Sequence, residues 1–136
     1  MVDIKQQLLE IGLKPTAARR LILSIFYQSA MPVSAEDIYK QFLENGQNVN
    51  LSTIYRTLEA LKDGGLIRSL TFEGSDKALF ELKQRHTHYL MCLGCKKIQP
   101  VDFCPLKDIQ NISGQNFTVT EHRFDLYGYC QDCKNK

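Results

Sequence analysis

Five cysteines and three histidines sit where their types and spacing could hold metal. Four of the cysteines form two C-x2-C pairs, Cys92-Leu93-Gly94-Cys95 and Cys130-Gln131-Asp132-Cys133, with 34 residues between them. Each pair puts two thiolates on one tight turn, and two such turns complete a tetrahedron around Zn²⁺. Gly94 inside the first turn suits a backbone bent sharply around sulfur. A closed four-cysteine site keeps no open coordination position, so its work is folding rather than catalysis. The rival chemistry is a pair of redox dithiols, but a thioredoxin-like motif calls for a βαβ context and a single pair.

Cys104 and the histidines (His86, His88, His122) stand outside those pairs. His86-Thr87-His88 puts two imidazoles on one side of an extended segment. His122 falls on the inward face of an expected strand, a costly place for an unpaired polar ring. A lone histidine is usually a satisfied polar residue, but all three lie in the part that bears the cysteine pairs. Three imidazoles and one thiolate satisfy Zn²⁺ or another borderline metal. A second metal site is therefore expected at His86, His88, Cys104 and His122, and its thiolate favours Zn²⁺ over Fe²⁺ or Mn²⁺.

The elements that must position these groups read as α+β. Residues 2–11 show helical apolar spacing (Val2, Ile4, Leu8, Leu9, Ile11) and stop at Gly12. Pro15-Thr16 opens a second helix, with Leu21, Ile22, Ile25 and Phe26 apolar. Ser34, followed three residues on by Asp37, begins a third as a capping box. That helix buries Ile38 and Phe42 and ends at Gly46. Ser52 is expected to cap a fourth, in which Ile54, Leu58 and Leu61 share a face and Gly64-Gly65 end the run. Leu66–Phe72 and Ala78–Leu82, joined by Glu73-Gly74-Ser75-Asp76, form a hairpin signal.

Short helices followed by a hairpin give the order of a winged helix-turn-helix domain, expected over residues 1–83. The fourth helix leaves Ser52, Thr53, Tyr55 and Arg56 outward at its N-terminal end, the end a recognition helix presents to the major groove of double-stranded DNA. Arg56 suits bidentate reading of guanine, and Tyr55 suits a thymine methyl or a phosphate. Lys14, Arg19 and Arg20 add backbone contacts from the second helix. The competing reading is a helical bundle whose polar face is only solvated.

Residues 84–136 read as a small α/β domain built around the four-cysteine zinc site. Ile98 and Val101 with Phe103 suggest one strand, Pro105 to Gly114 a short helix, and Phe117–Leu126 a strand with His122, Phe124 and Leu126 on one face. A unit of about fifty residues is marginal alone, and its strands offer a surface for dimerisation. A helix-turn-helix protein spanning two half-sites also wants a two-fold partner, so a homodimer on a palindromic operator is expected.

Bulk composition is quieter. The 136 residues are 43% hydrophobic and carry a net charge of +2, enough apolar content for a core and no announcement of nucleic acid. Residues 1–83 hold ten basic and ten acidic side chains, so any DNA-binding charge must be focused on one face. No apolar run approaches the roughly 20 residues of a membrane span. Met1-Val2-Asp3-Ile4-Lys5 lacks the layout of a signal peptide, so a cytoplasmic address with reduced thiols is expected. A hydrolase or peroxide-reducing thiol enzyme would need a nucleophile beside a base in an open pocket. The paired cysteines look closed instead, and no enzyme activity is expected. A zinc-ribbon module that binds protein is the remaining alternative.

Leu13-Lys14-Pro15-Thr16-Ala17-Ala18-Arg19, Val33-Ser34-Ala35-Glu36-Asp37-Ile38-Tyr39 and Ser52-Thr53-Ile54-Tyr55-Arg56-Thr57-Leu58 resemble the ferric uptake regulator (Fur) family. So does the order His-x-His, C-x2-C, short helix, Glu121-His122-Arg123-Phe124, Tyr127-Gly128 and C-x2-C. The resemblance covers nearly the whole chain. It implies a dimeric, metal-dependent transcriptional repressor with Tyr55 and Arg56 on the recognition helix and Cys92, Cys95, Cys130 and Cys133 holding structural zinc. One family metal position bridges the domains, but its usual ligand positions hold Pro32, Thr87 and Tyr89 here, so that position is not expected to form unless a local shift lets His86 and His88 serve with Glu81. Another implies His86, His88 and His122 with an acidic residue of the short helix, where this chain has Lys107. Cys104 stands one turn earlier, and Asp102 and Asp108 are nearby substitutes. Cys104-Pro105-Leu106 resembles the zinc-uptake regulators of the family, which implies a zinc sensor repressing metal-uptake genes. The alternative is an iron-, manganese- or peroxide-sensing member.

Overall fold

The computed structural model describes residues 2–105 and 116–134. The chain divides into two compact units, Met1–Arg85 and His86–Lys136. Beyond Pro105 itself, the short helix expected to run to Gly114, with Lys107 and Asp108, lies outside the described residues.

Four helices open the first unit: α1 (Ile4–Glu10), α2 (Ala17–Gln28), α3 (Ala35–Glu44) and α4 (Leu51–Asp63). Side chains satisfy the free N–H groups at three of their starts. The Asp3 carboxylate accepts from Gln6 N at 3.0 Å and the Thr16 hydroxyl from Arg19 N at 3.2 Å. Ser34 and Asp37 make the reciprocal capping box, at 3.1 and 2.9 Å. The fourth start corrects the sequence reading. Asn50, not Ser52, is the N-cap of α4, and its side chain makes no capping bond. The Asn50 carbonyl already accepts from Thr53 N (3.0 Å) and Ile54 N (3.3 Å), so the chain is helical from Leu51 and Ser52 lies in the first turn. The glycines after α4 act for different reasons. Gly65 has φ +81°, where an L side chain is strained, whereas a Cβ on Gly64 would lie 2.8 Å from Ile11.

Leu8, Ile22, Leu23, Ile38, Phe42, Ile54, Leu58, Leu61 and Ile67 form the centre of one core. The hairpin pairs β1 (Ile67–Leu70) with β2 (Leu79–Leu82) in antiparallel register, Ile67 opposite Leu82. Phe72 and Ala78 lie just outside these strands. Val33, immediately before α3, bridges Phe80 through two backbone bonds of 2.9 and 2.7 Å. The wing is thereby tied to the start of the helix-turn-helix.

The second unit is a three-stranded sheet in the order β4-β3-β5. Its centre, β3 (His88–Cys92), runs antiparallel to β4 (Ile98–Val101) and parallel to β5 (Asp125–Gly128). A final turn, α5, covers Gln131–Lys134. The long strand expected over 117–126 is absent: only Asp125–Gly128 finds ladder partners on β3. Phe117 and Phe103 lie outside strands and are exposed, and His122 and Phe124 are half-buried on the approach to β5 while Leu126 is exposed. No helix among the described residues is long and apolar enough to cross a membrane.

Phe42 is 1% exposed in the first core. Phe42→Ala is expected to destabilise this unit by about 3–5 kcal/mol, read by urea unfolding followed through helical circular dichroism. A loss below about 1 kcal/mol would contradict the packing described.

Candidate metal centres and helix face

Cys92 ends β3, Cys95 lies in the turn towards β4, and Cys130 and Cys133 flank the start of α5. The sheet makes this meeting possible, because β3 and β5 run side by side with Cys92 opposite Gly128. The four sulfurs all lie within 4.8 Å of one another, with Cys95 and Cys130 at 3.8 Å. None of the five cysteines is in a disulfide. The N–H groups of Cys130 and Cys95 point at the Cys92 sulfur from 3.4 and 3.5 Å and bring its thiol down to about 6. The Cys133 thiol is pushed up to about 12, first by the Cys130 sulfur and then by that of Cys92. The four sulfurs thus titrate as a group, and a cation held there would displace the protons that the group retains. Capture of a cation releases protons, so its retention weakens as pH falls.

Gly94 serves this cluster by space rather than by an unusual turn. A Cβ there would lie 2.8 Å from the Cys133 sulfur and 2.9 Å from its Cβ. The left-handed residue of the turn is Lys96, with φ +66°, whose N–H closes onto the Cys92 carbonyl at 2.9 Å.

A second cluster joins His86, His88, Cys104 and His122, with one ligand atom of each within 4.8 Å of the others. The Nε2 atoms of His88 and His122 are 3.3 Å apart, and Nε2 of His122 is 3.3 Å from the Cys104 sulfur. The His86 ring centroid lies 4.9 Å from that of His88 and 4.8 Å from that of His122. His88 is buried at the start of β3 and His86 is exposed, so one wall of the cluster is fixed and the other meets solvent. A cleft of about 260 Å³ lies against it, lined by His86, Thr87, His88, Val101, Asp102, Phe103 and Cys104. Asp102 lines this cleft without joining the ligand group. Glu81 is buried in β2 of the first unit, ion-paired to Arg68 at 2.9 Å.

On the first unit, Ser52, Tyr55 and Arg56 are exposed on α4 and Thr53 is half-buried. Lys14 and Arg20 are exposed near the start of α2, while half-buried Arg19 donates to the Lys14 carbonyl at 3.1 Å. A cleft of about 360 Å³ between α2 and α4 is lined by Thr16, Ala18, Arg19, Thr53, Arg56, Thr57 and Ala60. Two guanidinium-bearing residues therefore share one concave surface. The sequence reading missed Thr16 and Thr57 here; Thr57, four residues after Thr53, was legible as a flank of the apolar face. It also missed that the Tyr55 hydroxyl donates to Glu36 on α3 at 2.8 Å, a bond that lowers the Glu36 carboxyl below its ordinary range. Nothing in the spacing announces that bond, which needs α3 and α4 packed together.

Gly94→Ala should drive Cys133 out of the tetrathiolate group and weaken metal retention there by about 10–100-fold. Chelator competition measures this, and wild-type retention would contradict the steric role of Gly94.

The ferric uptake regulator family profile matches residues 10–127, ending just before the second cysteine pair. A ferric uptake regulation protein of Vibrio parahaemolyticus is 36% identical over 140 aligned positions, covering 98% of this chain and 93% of that protein. The ferric uptake regulator of Vibrio cholerae superposes with a TM-score of 0.78 at 34% identity, covering 94% of this chain and 100% of that one. The Pseudomonas aeruginosa ferric uptake regulator, solved with manganese, gives a TM-score of 0.82 at 28% identity over 96% of this chain and 99% of that one. With the profile spanning most of both units and relatives matched nearly end to end, the chain belongs to the ferric uptake regulator family, metal-dependent regulators rather than enzymes.

Proposed function

We propose that this chain is a zinc-responsive repressor that binds a palindromic operator as a homodimer and silences metal-uptake genes when zinc is plentiful. In this reading residues 1–83 bind DNA, and residues 84–136 dimerise and hold two metal ions of different kinds. Support for zinc at the cysteines comes from the donor set and its spacing. Tetrahedral Zn–S bonds of about 2.3 Å put sulfurs about 3.8 Å apart, the separation of Cys95 and Cys130. Zn–N bonds of about 2.0 Å likewise put nitrogens about 3.3 Å apart, as for His88 and His122.

The observation that carries the sensing assignment is the Cys104 sulfur beside three imidazoles. A thiolate with imidazoles suits Zn²⁺ better than Fe²⁺ or Mn²⁺, which take harder oxygen donors more readily. Bound there, Zn²⁺ would supply positive charge and directed bonds joining the four side chains. His88 gives the cluster a buried, fixed edge, and His86 and Cys104 close it from the cleft. A second reading, iron sensing, is favoured by the names of the relatives, which are called ferric uptake regulation proteins. Asp102, which lines the cleft beside the cluster, is the oxygen donor that reading would recruit.

For DNA, α4 is the proposed recognition helix, with Arg56 reading a base, Ser52, Thr53 and Tyr55 beside it, and Lys14, Arg19 and Arg20 on phosphates. The Vibrio cholerae relative is described as having DNA-binding domains that rearrange. Metal capture is proposed to shift a population towards the arrangement that spaces two recognition helices for successive major grooves. A decisive shift needs about 5.5 kcal/mol of differential affinity, within reach of a four-ligand site.

Arg56→Ala is expected to cost about 1–3 kcal/mol at the cognate duplex, measured by fluorescence anisotropy. A uniform loss across all sequences would make Arg56 a phosphate contact instead. His86→Ala/His88→Ala protein should keep one tightly held ion per chain and lose zinc-dependent DNA binding. Retention of that dependence would eliminate these histidines as the sensor.

A further inference from the structure

Arg85, the last residue of the first unit, is fastened into it from both side chain and backbone. Its guanidinium donates to the Ser29 carbonyl at 2.6 Å and to the Ala30 carbonyl at 3.0 Å. Ser29 is the C-cap of α2, so the cation sits at the carbonyl end of that helix, where the helix dipole favours positive charge. The Arg85 N–H donates to the Leu82 carbonyl at 3.1 Å, and the Arg85 carbonyl accepts from Nη2 of Arg68. Arg68 is held in turn by Glu81, whose side chain is 2% exposed. A fork across two carbonyls 55 and 56 residues away removes side-chain freedom that a solvated linker arginine would keep.

The next residue is His86, the first of the second unit and a member of the histidine–cysteine cluster. One peptide bond therefore separates a residue locked onto α2 from a residue of the metal cluster. At its other end α2 carries Arg19, which lines the cleft shared with Arg56 of α4. An imidazole held by metal restricts the direction in which the chain leaves Arg85. That restriction reaches the helices only if the preceding residue cannot swivel.

We infer that Arg85 is a positioning residue for the metal response, fastening the root of the connection to α2 so that capture at His86 biases the DNA-reading helices. The inference rests on the proposed zinc-responsive reading. Without the fork, Arg85 keeps only its backbone bonds to Leu82 and Arg68 and loses its hold on α2, and the metal cluster and the helix face bind their ligands independently.

The test uses full-length protein and a duplex selected from random-sequence DNA by the zinc-loaded wild type. DNA affinity is measured with Zn²⁺ and after removal of the labile ion, and Zn²⁺ affinity is measured with and without the duplex. Coupling between sites is typically about 5–150-fold and must be the same in both directions. Arg85→Gln is expected to bring both ratios close to one, while metal-free DNA affinity and DNA-free Zn²⁺ affinity keep their wild-type values. Arg85→Lys retains the charge but not the fork, and is expected to lose most of the ratio as well; it carries the test if the glutamine variant does not fold. A wild-type ratio in the variants, or an equal loss of DNA affinity in both metal states, would overturn the inference and leave Arg85 a structural residue. A wild-type protein with no zinc dependence would instead overturn the repressor reading, and this inference with it.

Discussion

Four sulfur atoms held within 4.8 Å of one another are the constraint on which the second unit depends. Among its described residues the buried apolar side chains are only Tyr89, Met91 and Cys92, with His88 the buried polar one. So small a described interior offsets little of the entropy of ordering the unit, and in the proposed reading cross-links of metal would take the place that apolar area holds in a larger domain. The Cys92 thiol is drawn down by the backbone N–H groups of Cys130 and Cys95, while the sulfurs of Cys130 and Cys92 push that of Cys133 up. In the proposed reading a cation held by Cys92, Cys95, Cys130 and Cys133 would supply positive charge to these sulfurs and tie the end of β3 to the turn that follows β5. The position of the second cluster follows, because His88 begins the strand that Cys92 ends.

The first unit is organised by different physics. Its stability comes from one apolar cluster shared by four helices and a hairpin, with N-terminal caps satisfied by Asp3, Thr16 and the Ser34–Asp37 pair. Such a core needs no metal, so in the proposed reading this unit is the fixed reader and the other is the responsive element. The exposed Leu90, Leu126, Tyr127 and Tyr129 in the small unit fit a surface that the proposed second copy would cover.

Much of this was legible because its causes are local in sequence. A capping box is three residues wide and a C-x2-C turn four, so Ser34–Asp37 and both cysteine pairs could be read directly. The helical core followed from the 3.6-residue period, down to Ile54, Leu58 and Leu61 on one buried face. The start of α4 slipped because Asn50 and Ser52 are equally good capping residues by type, while the Asn50 carbonyl decides where the helix begins. The strand expected over 117–126 was overlong because alternation reveals a face but not which residues find a ladder partner. Gly94 was noticed for the wrong reason: its crowding against Cys133 depends on a residue 39 positions away. The Tyr55–Glu36 bond and the Arg85 fork are tertiary in the same sense and left no trace in spacing.

The central claim is that one chain holds two metal positions of unlike donors, an all-sulfur one that maintains the fold and an imidazole-rich one that responds. Zinc X-ray absorption on protein brought to one and then two equivalents tests it most directly. The account predicts a sulfur-only shell near about 2.3 Å for the first equivalent, and added nitrogen scattering near about 2.0 Å for the second. A first equivalent that already shows a mixed nitrogen and sulfur shell, or a second that adds no nitrogen, would contradict it.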